Sequence, residues 1–204
     1  MAAAILSGVA HAAVLCMLTA AALLAVRYRP LHFPVWTEAC ENEPRPPRAW
    51  RWIVIHHSAT TEGSAAVFHR FHVDERGWDS LGYHFVIGNG TGSGDGEIEV
   101  GPRWRRQQTG SHAVGYNRRG IGICLVGNFN EQRPTPRQMQ SLRLLGTHLM
   151  KRFDIPPERV IGHKECRGAS TECPGKNMPM NDVREMLRAA VAPPPAVAPT
   201  GALR

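Results

Sequence analysis

No two cysteines of this chain stand at zinc-finger spacing, no run carries the aromatic signature of an RNA-recognition domain, and no glycine-rich turn follows the G-x-G-x-x-G pattern. The formal charge of +7 therefore points away from nucleic acid and toward anionic cell-wall polymers or lipid head groups. The five cysteines, Cys16, Cys40, Cys124, Cys166 and Cys173, are scattered and form no disulfide framework. There is no internal repeat, and 204 residues are too few for two full domains but enough for one well-buried core.

Charge is absent altogether from residues 2–26, which are small or apolar. As a helix they would reach about 38 Å at about 1.5 Å per residue, enough to cross a bilayer. A positive n-region is missing, while Ala20-Ala21-Ala22 offers a weak cleavage site, so a cleaved signal and an uncleaved anchor both stay open. Arg27 and Arg29 follow the segment, and the positive-inside rule alone would leave the remainder cytoplasmic. The expectation is a membrane-anchored or secreted protein, periplasmic or extracellular, with a cytoplasmic location not excluded. Five prolines make 27–48 an extended linker, the domain spans 49–190, and the Pro/Ala-rich stretch 191–204 reads as a disordered tail.

Within the domain, Trp52-Ile-Val-Ile55 is apolar on both sides, as suits a central strand covered on both faces. Ser64 can cap a helix to about Arg76 with Val67, Phe68 and Phe71 on one face and Gly77 as the stop. Tyr83 to Ile87 and Glu97 to Val100 read as strands around a glycine-rich hairpin loop, and Ile121 to Val126 as another buried strand holding Cys124. Thr135-Pro-Arg-Gln138 is a capping box with proline at the first helical position, opening a helix to Phe153 with Met139, Leu142, Leu145 and Leu149 in one stripe. Val160 and Ile161 form a short strand, and Asp182 to Ala190 a closing helix. Strands interleaved with helices predict an α/β domain: a central mixed β-sheet flanked by helices, one catalytic domain preceded by the apolar segment.

The loop from Ile161 to Gly175 holds His163 and Cys173, and His56 or His57 ends the first strand. Alternation puts those two histidines on opposite faces, so only one can join the loop residues. Imidazoles with a thiolate favour zinc, and three protein ligands with a fourth position open describe a catalytic site. His69, His72 and His148 sit in helical patterns and read as surface or packing residues; His57 and His84 alternate away from the site. With Cys173 reserved for metal, Cys40 and Cys166 are the pair open to a single disulfide in an oxidising compartment.

Five motifs in order, Val54-Ile-His-His-Ser-Ala-Thr60, Leu81-Gly-Tyr-His-Phe85, Gly110-Ser-His-Ala-Val-Gly-Tyr-Asn117, Ile121-Gly-Ile-Cys-Leu-Val-Gly127 and Gly162-His-Lys-Glu with Thr171-Glu-Cys-Pro-Gly175, resemble the zinc-dependent N-acetylmuramoyl-L-alanine amidases. That family includes phage amidase-type lysozymes and peptidoglycan recognition proteins. The resemblance covers about Trp50 to Met180 and implies His56, His163 and Cys173 as zinc ligands and Tyr83 as the active-site tyrosine. It implies peptidoglycan or muropeptides as partner, and hydrolysis of the amide joining the lactyl group of N-acetylmuramic acid to L-alanine. Recognition proteins that only bind typically lack the thiolate, so Cys173 favours an enzyme over its rival, a noncatalytic peptidoglycan-binding module. Phage members carry lysine where this chain has Thr171, as catalytic recognition proteins do, and Thr171 is the second expected catalytic group. His112 and Asn117 lie in a polar loop before a strand, where they would line the substrate groove or hold a structural turn. Arg103, in a basic cluster with Arg105, Arg106 and Trp104, would meet stem-peptide carboxylates or anionic polymers, or form a merely solvated loop. Glu165 would orient the His163 loop.

Overall fold

The computed structural model describes residues 48–192. The apolar leader, the linker through residue 47, the tail from residue 193 and Cys40 lie outside the described residues. Among the described residues, no helix is long and apolar enough to cross a membrane. A five-stranded mixed sheet carries the domain, with strands β1 (Trp52–His57), β2 (Phe85–Ile87), β3 (Ile98–Val100), β4 (Gly120–Leu125) and β5 (Val160–Gly162) in the order β3-β2-β4-β1-β5. Pairing is parallel except for the β2-β3 hairpin. Parallel strands need crossovers, and apolar residues on both sides of β1 fit its place between β4 and β5.

Ile53 and Ile55 point to the face covered by helices α3 (Pro136–Phe153) and α4 (Met180–Val191), in one cluster with Ile123, Leu142, Leu145, Leu149, Val183 and Leu187. The capping box of α3 is in place: the Gln138 amide donates to Thr135 Oγ1 at 3.0 Å and the Thr135 amide to Gln138 Oε1 at 3.1 Å. Gln138 Nε2 then donates to Ile87 O and Val126 O, tying the helix start to the sheet. With this face closed, Trp52, Val54 and His56 are left for the opposite face, where the chemistry gathers.

On that face lies helix α1 (Ala65–Arg70), capped by Ser64, with the Glu99 carboxylate accepting from the Ala65 amide at 2.8 Å. A single helix to Arg76 was expected, but from Phe71 to Glu75 the backbone widens into a π turn before Gly77 stops it at φ +65°. The added residue rotates the expected stripe. Phe68 stays buried, whereas Val67 and Phe71 are exposed at 42% and 47% and line a cavity. Tyr83 lies just before β2 rather than within it.

One expectation is corrected here. Arg103 is buried in the short helix α2 (Pro102–Arg105) and does not face ligand. Its Nε donates to Leu81 O at 2.8 Å, one terminal nitrogen to Thr109 O at 2.7 Å, and the other pairs with Asp79. A guanidinium with its donors so engaged is a strut beneath the segment leading to Tyr83, so neither a substrate contact nor a solvated loop describes it. Arg103→Met should orphan the Leu81 and Thr109 carbonyls and lower stability by about 2–4 kcal/mol, read as a shifted urea midpoint with an unchanged slope. An unmoved midpoint would mean that water replaces the guanidinium at no cost. Cys166 is buried against Val54, Ala113 and Ile161, and the Cys40 of its expected bridge lies outside the described residues.

Candidate metal centre

Each arm of the site leaves the sheet from a different element. His56 occupies the last turn of the pleat in β1, facing away from α3, while His57 turns the other way and accepts the Phe129 amide on Nδ1 at 3.0 Å. His163 follows β5 directly, in a short 3-10 turn. Glu165 holds that turn as expected, its carboxylate accepting the Gly162 amide at 2.7 Å while paired to Arg184 at 3.0 Å. Cys173 is brought alongside when its carbonyl accepts the Lys164 amide at 2.6 Å. Its sulfur accepts the His57 amide at 3.4 Å.

The ligand atoms of His56, His163 and Cys173 all lie within 4.8 Å of one another, and Cys173 Sγ stands 3.6 Å from His56 Nδ1. On a tetrahedral zinc ion with Zn–N about 2.0–2.1 Å and Zn–S about 2.3 Å, donor atoms sit about 3.3–3.6 Å apart. The residues thus fit zinc in donor type, and His56 with Cys173 in spacing, with one position left for water or substrate. Burial lowers the His163 pKa, and burial together with the neighbouring histidines holds that of His56 well below the usual value, keeping both rings neutral as ligands must be. Burial also pushes the Cys173 thiol up to about 12, against the His57 amide, which lowers it. A thiol so placed gives up its proton to a cation rather than to water.

Behind His56 stands His112. Of the groove and structural roles open to it, the second is the one its burial behind His56 fits, its Nδ1 3.1 Å from His56 Nε2 and its Nε2 3.2 Å from Gly120 O. A carbonyl only accepts, so His112 Nε2 carries the proton, His112 Nδ1 accepts from His56 Nε2, and the His56 lone pair is left on Nδ1, facing Cys173. The ring fits because Gly122 lacks a Cβ, which would come within 2.6 Å of it. Burial and the surrounding positive groups lower the His112 pKa to about 3, keeping the relay uncharged. Asn117 is likewise structural, its side-chain oxygen accepting the amides of His112 and Ala113 at 2.7 and 2.8 Å. His112→Phe should weaken zinc binding about 10–100-fold with the fold intact, measured by competition with a chelating dye. Unchanged affinity would remove His112 from any role in orienting His56.

Tyr83 packs against His56 with ring centroids 5.2 Å apart. Burial and the nearby Cys124 and Cys173 thiols hold its pKa well above the usual phenol value, so it stays a proton donor. Thr171 Oγ1 accepts the Cys173 amide at 3.1 Å, which leaves its own proton to donate elsewhere. Beside Tyr83 opens a cavity of about 580 Å³ lined by Ser58, Thr60, Phe71, His72, Arg76 and Trp78 among others. His72 is the residue that sequence reasoning missed. Its Nδ1 accepts the Gly82 amide at 3.2 Å, its ring stacks on Trp78 and meets Tyr83 edge-on, and burial lowers its pKa to about 4. No sequence signal marks it, since a regular helix would have turned it elsewhere.

Residues 46–176 match the family described as N-acetylmuramoyl-L-alanine amidase. The amidase LysC from Clostridium intestinale URNW is similar in structure, with a TM-score of 0.60 and 34% identity over 78% of this chain and 93% of that one. Peptidoglycan-recognition protein SC2 of Drosophila melanogaster is 32% identical over 142 residues, 65% of this chain and 72% of its own. Peptidoglycan recognition protein LE, solved in complex with tracheal cytotoxin, a monomeric diaminopimelic acid-type peptidoglycan, gives a TM-score of 0.56 and 30% identity over 70% of this chain and 84% of that one. The family is typically zinc-dependent, and the two imidazoles and one thiol gathered here are a set that could hold such an ion. By the match across its domain, this chain belongs to the N-acetylmuramoyl-L-alanine amidase family.

Proposed function

We propose that the domain is a zinc-dependent amidase that hydrolyses the bond between the lactyl group of N-acetylmuramic acid and L-alanine in peptidoglycan. The observation that carries this reading is the thiol of Cys173 set 3.6 Å from His56 Nδ1 with His163 beside them, a complete ligand set next to a cavity of substrate size. When bound, zinc supplies Lewis acidity that polarises the carbonyl and acidifies a water molecule. His56, with its tautomer set by His112, His163 and Cys173 hold the ion. Tyr83 keeps its proton and donates it toward oxygen as the carbonyl gains charge, and Thr171 offers a second donor to that oxygen. The cavity beside Tyr83 takes the stem peptide, with Arg76 at its wall available to a carboxylate. Net hydrolysis adds water across the amide, leaving a lactyl carboxylate and a free L-alanine amine.

Peptidoglycan or its fragments are the partner in this reading, and the chain meets them where the apolar leader anchors or exports it. The test is mass spectrometry of products from purified sacculi incubated with metal-loaded protein. Free stem peptides beginning with an L-alanine amine are expected. A metal-loaded protein that binds muropeptides and releases no stem peptide would make the domain a recognition module instead.

A further inference from the structure

At the other end of β1, four residues from His56 and on the same face of the sheet, Trp52 borders a second cavity of about 430 Å³. At about 3.3 Å per residue it lies about 13 Å along the strand from the metal centre. Its walls are Trp52, Gly115, Tyr116, Arg118, Arg119 and Arg167. The Tyr116 ring meets the Trp52 ring edge-on at 5.2 Å, and the Arg159 guanidinium stands over Trp52 at 5.6 Å. Three arginines thus line the cavity, and a fourth stands over its tryptophan. No salt bridge between described residues involves any of them, and the acids beside them in sequence are engaged elsewhere: Glu158 with Arg188 and Glu165 with Arg184. The turn bearing Arg118 and Arg119 is pinned to the start of β1, because Arg119 O accepts the Arg51 amide at 2.8 Å and Arg118 O accepts from Arg48 at 3.1 Å.

We propose that this arginine-ringed pocket is a second binding site, for a phosphoryl group carried on a sugar. Exposed guanidiniums with no ion pair among the described residues, gathered around one cavity, suit a ligand with several acceptor oxygens, and a phosphate presents enough for two planar forks where a lone carboxylate engages one. The Trp52 and Tyr116 rings offer apolar faces to the C–H side of a pyranose, and the volume admits a monosaccharide with its phosphate. The pinned turn fixes the backbone of two of the arginines, so on binding only their side chains are left to order. The site is chemically separate from hydrolysis, and it stands whether or not the amidase reading does.

Calorimetric titration of the full chain with N-acetylglucosamine 6-phosphate, N-acetylglucosamine and inorganic phosphate tests this. The sugar phosphate should bind at least about tenfold more tightly than either fragment, and more weakly as salt rises. The double variant Arg118→Gln, Arg119→Gln should lose at least about tenfold in that affinity with its melting temperature and zinc content unchanged. A sugar phosphate that binds no better than its fragments, or that binds variant and wild type alike, overturns the proposal. Retention on sacculi before and after hydrofluoric acid, which strips phosphodiester-linked polymers, distinguishes the source: retention lost on stripping supports a wall-borne phosphate, and retention unchanged supports a free sugar phosphate. Stem-peptide release measured on the same samples keeps the readings apart, since tight sugar-phosphate binding without release would count against the amidase alone.

Discussion

Cys173→Ala should yield a folded protein that retains no zinc after dialysis and releases no stem peptide. The thiol is one of three donors, and it is the soft one that suits zinc over harder cations. Metal catalysis supplies several kcal/mol of charge stabilisation, which at about 1.36 kcal/mol per tenfold corresponds to a loss on the order of a thousandfold or more. The fold should survive, because the substitution costs the sheet only the acceptor of one backbone amide, that of His57 at 3.4 Å. Elemental analysis of the dialysed variant, with circular dichroism alongside, checks both halves. Full zinc content with full activity would sink the ligand assignment, whereas zinc retained with activity lost would move Cys173 from metal binding to direct chemistry.

Tyr83→Phe separates metal binding from turnover. The ring packs against His56 at 5.2 Å and lies at the edge of the cavity, so phenylalanine preserves the packing and removes only the donor. Zinc stoichiometry should be unchanged, KM nearly so, and kcat should fall about 100-fold or more, the usual effect of deleting one donor to a developing oxyanion. The expectation depends on a protonated phenol, which burial secures. A variant that loses zinc would show that the hydroxyl supports the ligands, and one that keeps wild-type kcat would show that Thr171 suffices.

The elements best read from sequence are those whose signals are local. The Thr135 to Gln138 capping box, proline at the first position and the leucine stripe of α3 are read over a few residues, and α3 runs Pro136–Phe153 as expected. The central strand β1 and the placement of His56 and His57 on opposite faces follow from the two-residue period. Non-local signals were not legible. The π turn at Phe71 to Glu75 breaks the period of a regular helix, so His72 read correctly as packing while its place beside Tyr83 did not show. Arg103 sits among other arginines and reads as a substrate contact or a solvated group, yet the carbonyls that take it inside belong to Leu81 and Thr109.

His112 marks the same boundary within the site. The motif around it was legible, but its direction was decided by a glycine on another strand, Gly122, and by a carbonyl, Gly120 O, that only the folded sheet brings near. The sequence by itself determined the element types, the face on which His56 lies, the ligand residue types and the family they resemble, because periodicity, capping and motif order are properties of neighbouring residues. Tertiary structure alone decided that His56, more than a hundred positions before His163 and Cys173, places its donor atoms within 4.8 Å of theirs, and that His112 and Arg103 are buried behind the site. Distances between donors and the burial of a polar side chain are set by which strands pair and which faces close, and residues far apart in the chain acquire them only when the sheet forms.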